Sequence, residues 1–248
     1  MSSIKENIEN INAKIEAACQ RSGRKREEVL FLVVSKTIDV PRIKEAVACG
    51  MTSLGENKVQ EIMDKYEPMG EGIKWHLIGH LQTNKVKYIV GKTALIHSVD
   101  SLKLAETIEK EAVESIKLAE EISKRAVAKG VTANILLEVN VAGEESKFGI
   151  KPEECEQMVR EISVMPNIVI KGLMTVAPAV ENEEENRKYF RQMKQLLVDI
   201  NSKKIDNVNM TELSMGMTGD YEVAIEEGAT IVRIGTGVFG ARYYPNKN

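Results

Sequence analysis

Short, nearly unbroken apolar runs recur along the whole chain, with charged stretches of helical periodicity between them. The runs at 29–35, 52–54, 75–78, 94–98, 133–139, 168–174, 209–214 and 230–234 predict strands. An apolar run this short, without alternation, suits a parallel strand buried on both faces. Patterns at helical spacing predict helices over 41–49, 57–67, 101–129, 153–163, 182–201 and 219–227. At the amino end Ile4, Ile8, Ile11, Ile15 and Ala18 share one helical face, and Ser3 with Glu6 forms a capping box, so a helix is expected over about 3–20. Eight strands alternating with helices, and no Pro/Gly-rich linker, predict an α/β fold with a single (β/α)8 TIM-type barrel as one domain over 1–248. An open doubly wound sheet is the other arrangement to weigh. It would carry a G-x-G-x-x-G turn after the first strand, and none follows there.

One stretch departs from this rhythm. Residues 101–114 (SLKLAETIEKEAVE) are followed at once by 115–128 (SIKLAEEISKRAVA), identical at nine of fourteen positions. Fourteen residues make nearly four helical turns, so a second copy extends a helix by about 21 Å and returns its apolar positions to almost the same face. A tolerated helix duplication is the simpler interpretation, and a partner surface is the functional one.

Composition narrows the classes. With 34 basic and 37 acidic residues the net charge is -3, which gives no electrostatic footprint for nucleic acid. No apolar run is long enough to span a membrane, and the S2-S3-I-K-E-N start is unlike a signal peptide. Cys19, Cys49 and Cys155 are odd in number and widely spaced, implying neither a disulfide framework nor a zinc site. A reducing cytoplasmic setting follows, with a monomer as the default state. The run E181-N-E-E-E185 is most simply a solvated face.

The chemistry concentrates at strand ends. Lys36 closes the first strand (V29-L-F-L-V-V-S35-K36), where rigid backbone carries it to the barrel mouth. An apolar mouth favours a neutral amine, as attack on an aldehyde requires. On spacing alone, a solvated lysine ending a strand is the simpler reading. Asn57, in L54-G-E-N-K58, either faces a ligand or caps the next helix. His76 and His80 stand four apart, but across strand and turn, so no metal site is expected. His80 is placed near the site and His97 is ambiguous.

Far along the chain, S214-M-G216-M and R233-I-G235-T236-G237 close the last two strands with small polar turns. Backbone N–H groups there, with hydroxyls from Ser214 or Thr236, suit a phosphate, and the loops after strands seven and eight are the usual phosphate site of such barrels. Arg233 shares the inward face of Gly235. A lysine and a distant phosphate cradle point to a phosphorylated aldehyde held as a Schiff base.

These segments resemble the pyridoxal phosphate homeostasis proteins (the PROSC/YggS type). The matches are V33-V-S-K-T37, L54-G-E-N-K58, W75-H-L-I-G79, L81-Q-T-N-K85, G172-L-M-T175, L213-S-M-G-M217, V232-R-I-G-T236 and F239-G-A-R242. The resemblance covers nearly the whole chain. It implies the alanine racemase amino-terminal barrel and pyridoxal 5'-phosphate (PLP) as cofactor. It also implies covalent attachment at Lys36, a phosphate held by Ser214, Gly216, Gly235 and Thr236, Arg233 facing the pyridine nitrogen, and Asn57 in the cofactor-side loop. His80 departs from the family, whose members commonly carry proline there.

Function then divides. The family implies a carrier in intracellular PLP (vitamin B6) homeostasis without robust catalysis, with PLP-dependent apoenzymes as recipients. The alternative is a low-efficiency amino-acid racemase, which needs a second base. In racemases a tyrosine completed by a further domain serves that role. Here Tyr243 and Tyr244, in the short segment after Gly240, are not placed over the cofactor by the sequence, and sealing the barrel is their simplest role. An interaction protein built on the repeated helix is a third class.

Overall fold

The computed structural model describes residues 2–99, 108–144 and 147–241; part of the first repeat copy, and Tyr243 and Tyr244, lie outside them. Eight parallel strands close in chain order into a barrel: β1 (Leu30–Val34), β2 (Ser53–Glu56), β3 (Lys74–Leu77), β4 (Thr93–Val99), β5 (Ala133–Glu138), β6 (Ile168–Met174), β7 (Glu212–Ser214) and β8 (Ile231–Ile234). The helices are α1 (Ile4–Arg21), α2 (Val40–Ala48), α3 (Val59–Met69), α4 (Val86–Ile89), α5 (Ile108–Lys129), α6 (Cys155–Ser163), α7 (Arg187–Ser202), α8 (Tyr221–Glu226) and α9 (Thr236–Phe239). The doubly wound alternative is excluded by closure of β8 onto β1, with Leu30 beside Ile231 and Val33 beside Ile234.

Alternation along each strand sorts side chains between two cores. Leu32, Leu95, Leu136, Met174 and Ile231 pack together inside the barrel. Their chain neighbours, such as Val33, Ile96, Leu137 and Leu173, face outward and join the core beneath the helices. There they pack with Ile43, Ile62, Ile122, Val159 and Phe190, all fully buried. Each such side chain contributes about 1.5–3 kcal/mol through burial.

Several boundaries differ from the sequence expectation for local reasons. Strand β7 begins at Glu212 rather than 209, because the Asn201 side chain takes both backbone groups of Met210 out of the ladder. Met210 N donates to Asn201 Oδ1 (3.1 Å), and Asn201 Nδ2 donates to Met210 O (2.8 Å). Helix α2 starts one residue earlier than expected, with Asp39 as its cap accepting from Arg42 N at 3.2 Å and Pro41 in the first turn. A 3-10 turn over Thr83–Lys85 and, directly after it, α4 form where no helix was expected. Between β5 and β6 the register slips by one residue after Ile135, bulging β6 at Lys171.

Helix α1 has its capping box, Ser3 with Glu6, and buries Ile4, Ile8, Ile11, Ile15 and Ala18. Its seat is α8 and α9. Asn7 Nδ2 donates to Val238 O (2.9 Å), and Arg21 pairs with Glu222 and Glu226 at 3.1 and 2.6 Å. The second repeat copy lies in α5 and buries Leu118, Ala119, Ile122 and Ala126 against the barrel.

Candidate functional site

Strand β1 delivers Lys36, and β2 delivers Asn57, to the carboxyl end of the barrel. Ser35 N donates to Gly55 O at 3.0 Å, which continues the β1–β2 pairing to the residue before Lys36. Ile38 N then donates to Ser35 O at 3.1 Å and closes a turn with Lys36 and Thr37 at its centre. Lys36 is half-buried. Asn57 is half-buried as well; Lys58, without a side-chain bond, occupies the cap position of α3, so Asn57 is not the cap. Gly79 packs onto the backbone of Asn57, where an added Cβ would stand 2.5 Å from its carbonyl oxygen. That approach explains a glycine in the W75–G79 segment.

The two distant turns meet beside this end. Gly216 has φ +89, and a Cβ there would lie 2.6 Å from Ala224 Cβ, so both conformation and space require glycine. Asp220 tightens the loop by accepting from Met217 N (2.6 Å), and is itself held by Asn186 Nδ2 (2.9 Å). Thr236 Oγ1 and Thr218 Oγ1 lie 3.1 Å apart, and Gly237 N donates to Thr218 at 3.4 Å. Gly235 in turn approaches Val34, its added Cβ falling 3.1 Å from Val34 O. The cradle therefore abuts the strand that ends in Lys36.

Below the cradle lies a polar chain inside the barrel. Arg233 Nη1 donates to Ser214 Oγ (2.7 Å) and Nη2 to Thr175 O (2.8 Å). Ser214 Oγ is 3.0 Å from His97 Nδ1, and His97 Nε2 is 3.0 Å from His76 Nδ1. With Arg233 as the fixed donor, the assignment that uses every group runs Arg233 to Ser214 to His97 to His76. Burial pushes Arg233 down to about 10, with Glu138 and Asp220 pulling it back, so it stays a guanidinium at neutral pH. Burial likewise pushes His76 down to about 4, and His97 well below its ordinary value, the latter helped by the nearby His76 and Arg233 charges.

The alanine racemase N-terminal domain family matches residues 3–243 of the chain. A pyridoxal phosphate homeostasis protein of Aquifex aeolicus is 43% identical over 96% of this chain and 98% of its own. This chain belongs to the pyridoxal phosphate homeostasis protein family. A crystal structure of an unknown protein from Bifidobacterium adolescentis matches with TM-score 0.84 and 36% identity, covering 95% of this chain and 94% of the other. The family member PipY of Synechococcus elongatus, solved with PLP bound, matches with TM-score 0.75 and 30% identity over 92% of this chain and all of PipY.

Within this family frame, the barrel end gathers the sequence-predicted residues Lys36, Asn57, Ser214, Gly216, Arg233, Gly235 and Thr236. His80 does not pair with His76; its ring stacks on Phe148 at 5.6 Å, and among the described residues no cluster suited to a metal ion occurs. Sequence reasoning missed four participants: His76 and His97, which pair across two strands; Glu138, buried at the end of β5; and Thr218, which joins the two turns. For Glu138 a signal existed, since an acidic residue ending an otherwise apolar strand has to face something polar.

These shifts give an acid–base signature. From about pH 7 to about pH 5, unfolded His76 takes up a proton that folded His76 refuses, which costs about 2 kcal/mol of stability. Glu56, buried beneath Lys36 and pushed up to about 7 by burial against the hydrogen bonds of Lys65 and Ser35, has the opposite sign. Its folded form is protonated before its unfolded form, so the same acidification returns about 2 kcal/mol. Urea unfolding at the two pH values is the check. The native chain should lose little beyond the share of His97, whereas Glu56→Gln should lose about 2 kcal/mol more. Equal losses would contradict the offset.

Proposed function

We propose that this protein carries pyridoxal 5'-phosphate as a Schiff base on Lys36 and serves intracellular PLP homeostasis without robust catalysis of its own. The observation that carries this reading is the convergence, at one barrel end, of a half-buried lysine, a Gly/Thr cradle and a buried guanidinium. The residues fit the group: the turns at Gly216 and Gly235 bring Gly-rich backbone and the Thr218 and Thr236 hydroxyls together beside the end of β1, the kind of donor set an anion takes. When bound, PLP supplies an aldehyde that condenses with an amine and a ring that can accept electrons. In this reading Gly216, Gly235 and Thr236 hold the phosphate from the two turns. Ser214 would join them by turning its hydroxyl from His97 while still accepting from Arg233. Asn57 lines the cofactor side of β2.

Arg233 sets the limit on chemistry. A guanidinium that stays charged disfavours protonation of a ring nitrogen facing it, which weakens the ring as an electron acceptor. This supports a carrier that hands PLP to recipient apoenzymes. We read the setting as cytoplasmic, consistent with the three free cysteines, and the state as monomeric. The match to the racemase barrel family favours a second reading, a weak amino-acid racemase, which exchange of a substrate α-proton with solvent would reveal.

The test is an absorption spectrum of the PLP-treated protein before and after borohydride reduction, with peptide mapping. A band near the visible that disappears on reduction, and a pyridoxyl mass on the Lys36 peptide, is the expected result. An adduct spread over surface lysines, or none, overturns the assignment.

A further inference from the structure

Directly behind Lys36, on the outer face of the barrel, three charged side chains surround the backbone on either side of that residue. Glu56 ends β2 and points outward, opposite in alternation to Asn57; it is fully buried. Lys65, from α3, places its ammonium 2.8 Å from Glu56 Oε1, 3.3 Å from Glu61 Oε2 and 2.9 Å from the carbonyl oxygen of Ser35. The Ser35 hydroxyl donates to the same Glu56 oxygen at 2.7 Å. Glu61, also on α3, accepts from the backbone N–H of Thr37 at 2.7 Å. One ion cluster thus holds the carbonyl before Lys36 and the amide after it.

The backbone it holds is an unusual one. Thr37 has φ +65, a left-handed conformation that a β-branched residue rarely adopts. It occupies the third position of the Ser35–Ile38 turn, where a positive φ normally calls for glycine or asparagine. Such a conformation persists only where its surroundings over-determine it, and it clusters at ligand sites. Burying Glu56 and the Lys65 ammonium under a strand end is expensive unless they are paired, as they are through Glu56 Oε1, while Glu61 stands half-buried at the edge of the cluster.

We propose that Glu56, Lys65 and Glu61 form a positioning clamp for Lys36, gripping the chain at Ser35 and Thr37 so that the amine leaves the barrel end in one direction, toward the cradle. This rests on Lys36 being the attachment point. The groups that face Glu56 are Lys65 and Glu61 from α3 and Ser35 from the end of β1. Burial works against the ionised form of Glu61, but the Thr37 amide, Glu56 and Lys65 together hold its carboxyl below the usual range, so it stays an anionic acceptor for the turn.

The test uses the full chain and begins without PLP. Hydrogen exchange at the Thr37 amide and the acetylation rate of Lys36, relative to exposed Lys58, are compared in the native chain, Glu61→Ala, Glu61→Gln and Lys65→Met. Glu61→Ala should speed Thr37 exchange by about tenfold or more, the weight of a hydrogen bond to a charged acceptor. Its Lys36 rate should change while that of Lys58 holds, and borohydride-trapped PLP labelling of Lys36 should slow by about tenfold. Glu61→Gln keeps an oxygen acceptor and should restore most of both; Lys65→Met, acting through Ser35, should slow labelling as well. Native labelling rates in Glu61→Ala and Lys65→Met would overturn the clamp, as would Thr37 exchange unchanged in Glu61→Ala. If the native chain itself takes no PLP at Lys36, the attachment reading fails instead, and Thr37 exchange with Lys36 acetylation still decides the clamp.

Discussion

Arg233→Ala is expected to lower the stability of the protein by about 3–5 kcal/mol, the cost typical of removing one partner from a buried charged network. The guanidinium lies within the barrel, 5% exposed, and supplies both the donor to Ser214 and the donor to Thr175 O. Without it those acceptors are buried with one bond fewer, and Glu138 loses the favourable field of a nearby cation. Water entering the space left by the side chain would recover part of the loss. Arg233→Lys keeps a charge but not the two-pronged geometry, and should recover less than half. Denaturant unfolding measures both, provided the transition slope is unchanged. A loss below about 1 kcal/mol for the alanine variant would mean the network is not a buried, satisfied unit. The same variant should also load PLP less well, because the hydroxyl of Ser214 is no longer held from behind.

Gly172→Ala should be at least as damaging, with little soluble protein recovered and a stability loss above about 4 kcal/mol in what survives. Gly172 stands opposite Glu212 in the β6–β7 ladder, and a Cβ built on it overlaps the Glu212 carbonyl. The overlap is with backbone, so no side-chain rotation relieves it. It arises because the bulge at Lys171 turns the next residue into the neighbouring strand, and Thr211 N bonds Lys171 O at 2.9 Å at the same point. Separating the strands here would reach Thr175 and Ser214, which follow by a few residues and hold Arg233. Gly219→Ala is the control, since a Cβ there meets nothing within 4 Å and its backbone needs no left-handed φ. Circular dichroism and soluble yield of the two variants, compared side by side, decide the matter. Equal behaviour would contradict the close approach.

What could be read in advance follows from the range of each interaction. Parallel strands buried on both faces announce themselves as apolar runs, so the eight strands and the barrel were legible. The Gly/Thr turns were legible as turns, because small and glycine residues set turn geometry within a few positions. Lys36 was placed as the residue that closes β1, and Arg233 by alternation along β8. The pairing of His76 with His97 was not legible, because it depends on how β3 and β4 register, and that register shifts at Trp75 and His76. Glu56, Glu61 and Lys65 were hidden for a different reason: in sequence they look like an ordinary charged helix start. Only the packing of α3 on the strand ends reveals that one glutamate is wholly enclosed. The truncated β7 belongs to the same class, since a distant Asn201 side chain sets its beginning.

The seat of α1 has a consequence for how the chain is made. The apolar face of this helix leaves the ribosome long before the surfaces it covers, α8 and α9, are synthesised. At ribosomal speeds of about 5–20 residues per second, the wait is on the order of ten seconds or more. Throughout it Ile4, Ile8, Ile11 and Ile15 have no native partner there, and β1 has no β8 to pair with. Nascent chains halted before residue 220 should therefore engage chaperones through the apolar face of α1, and release should coincide with barrel closure.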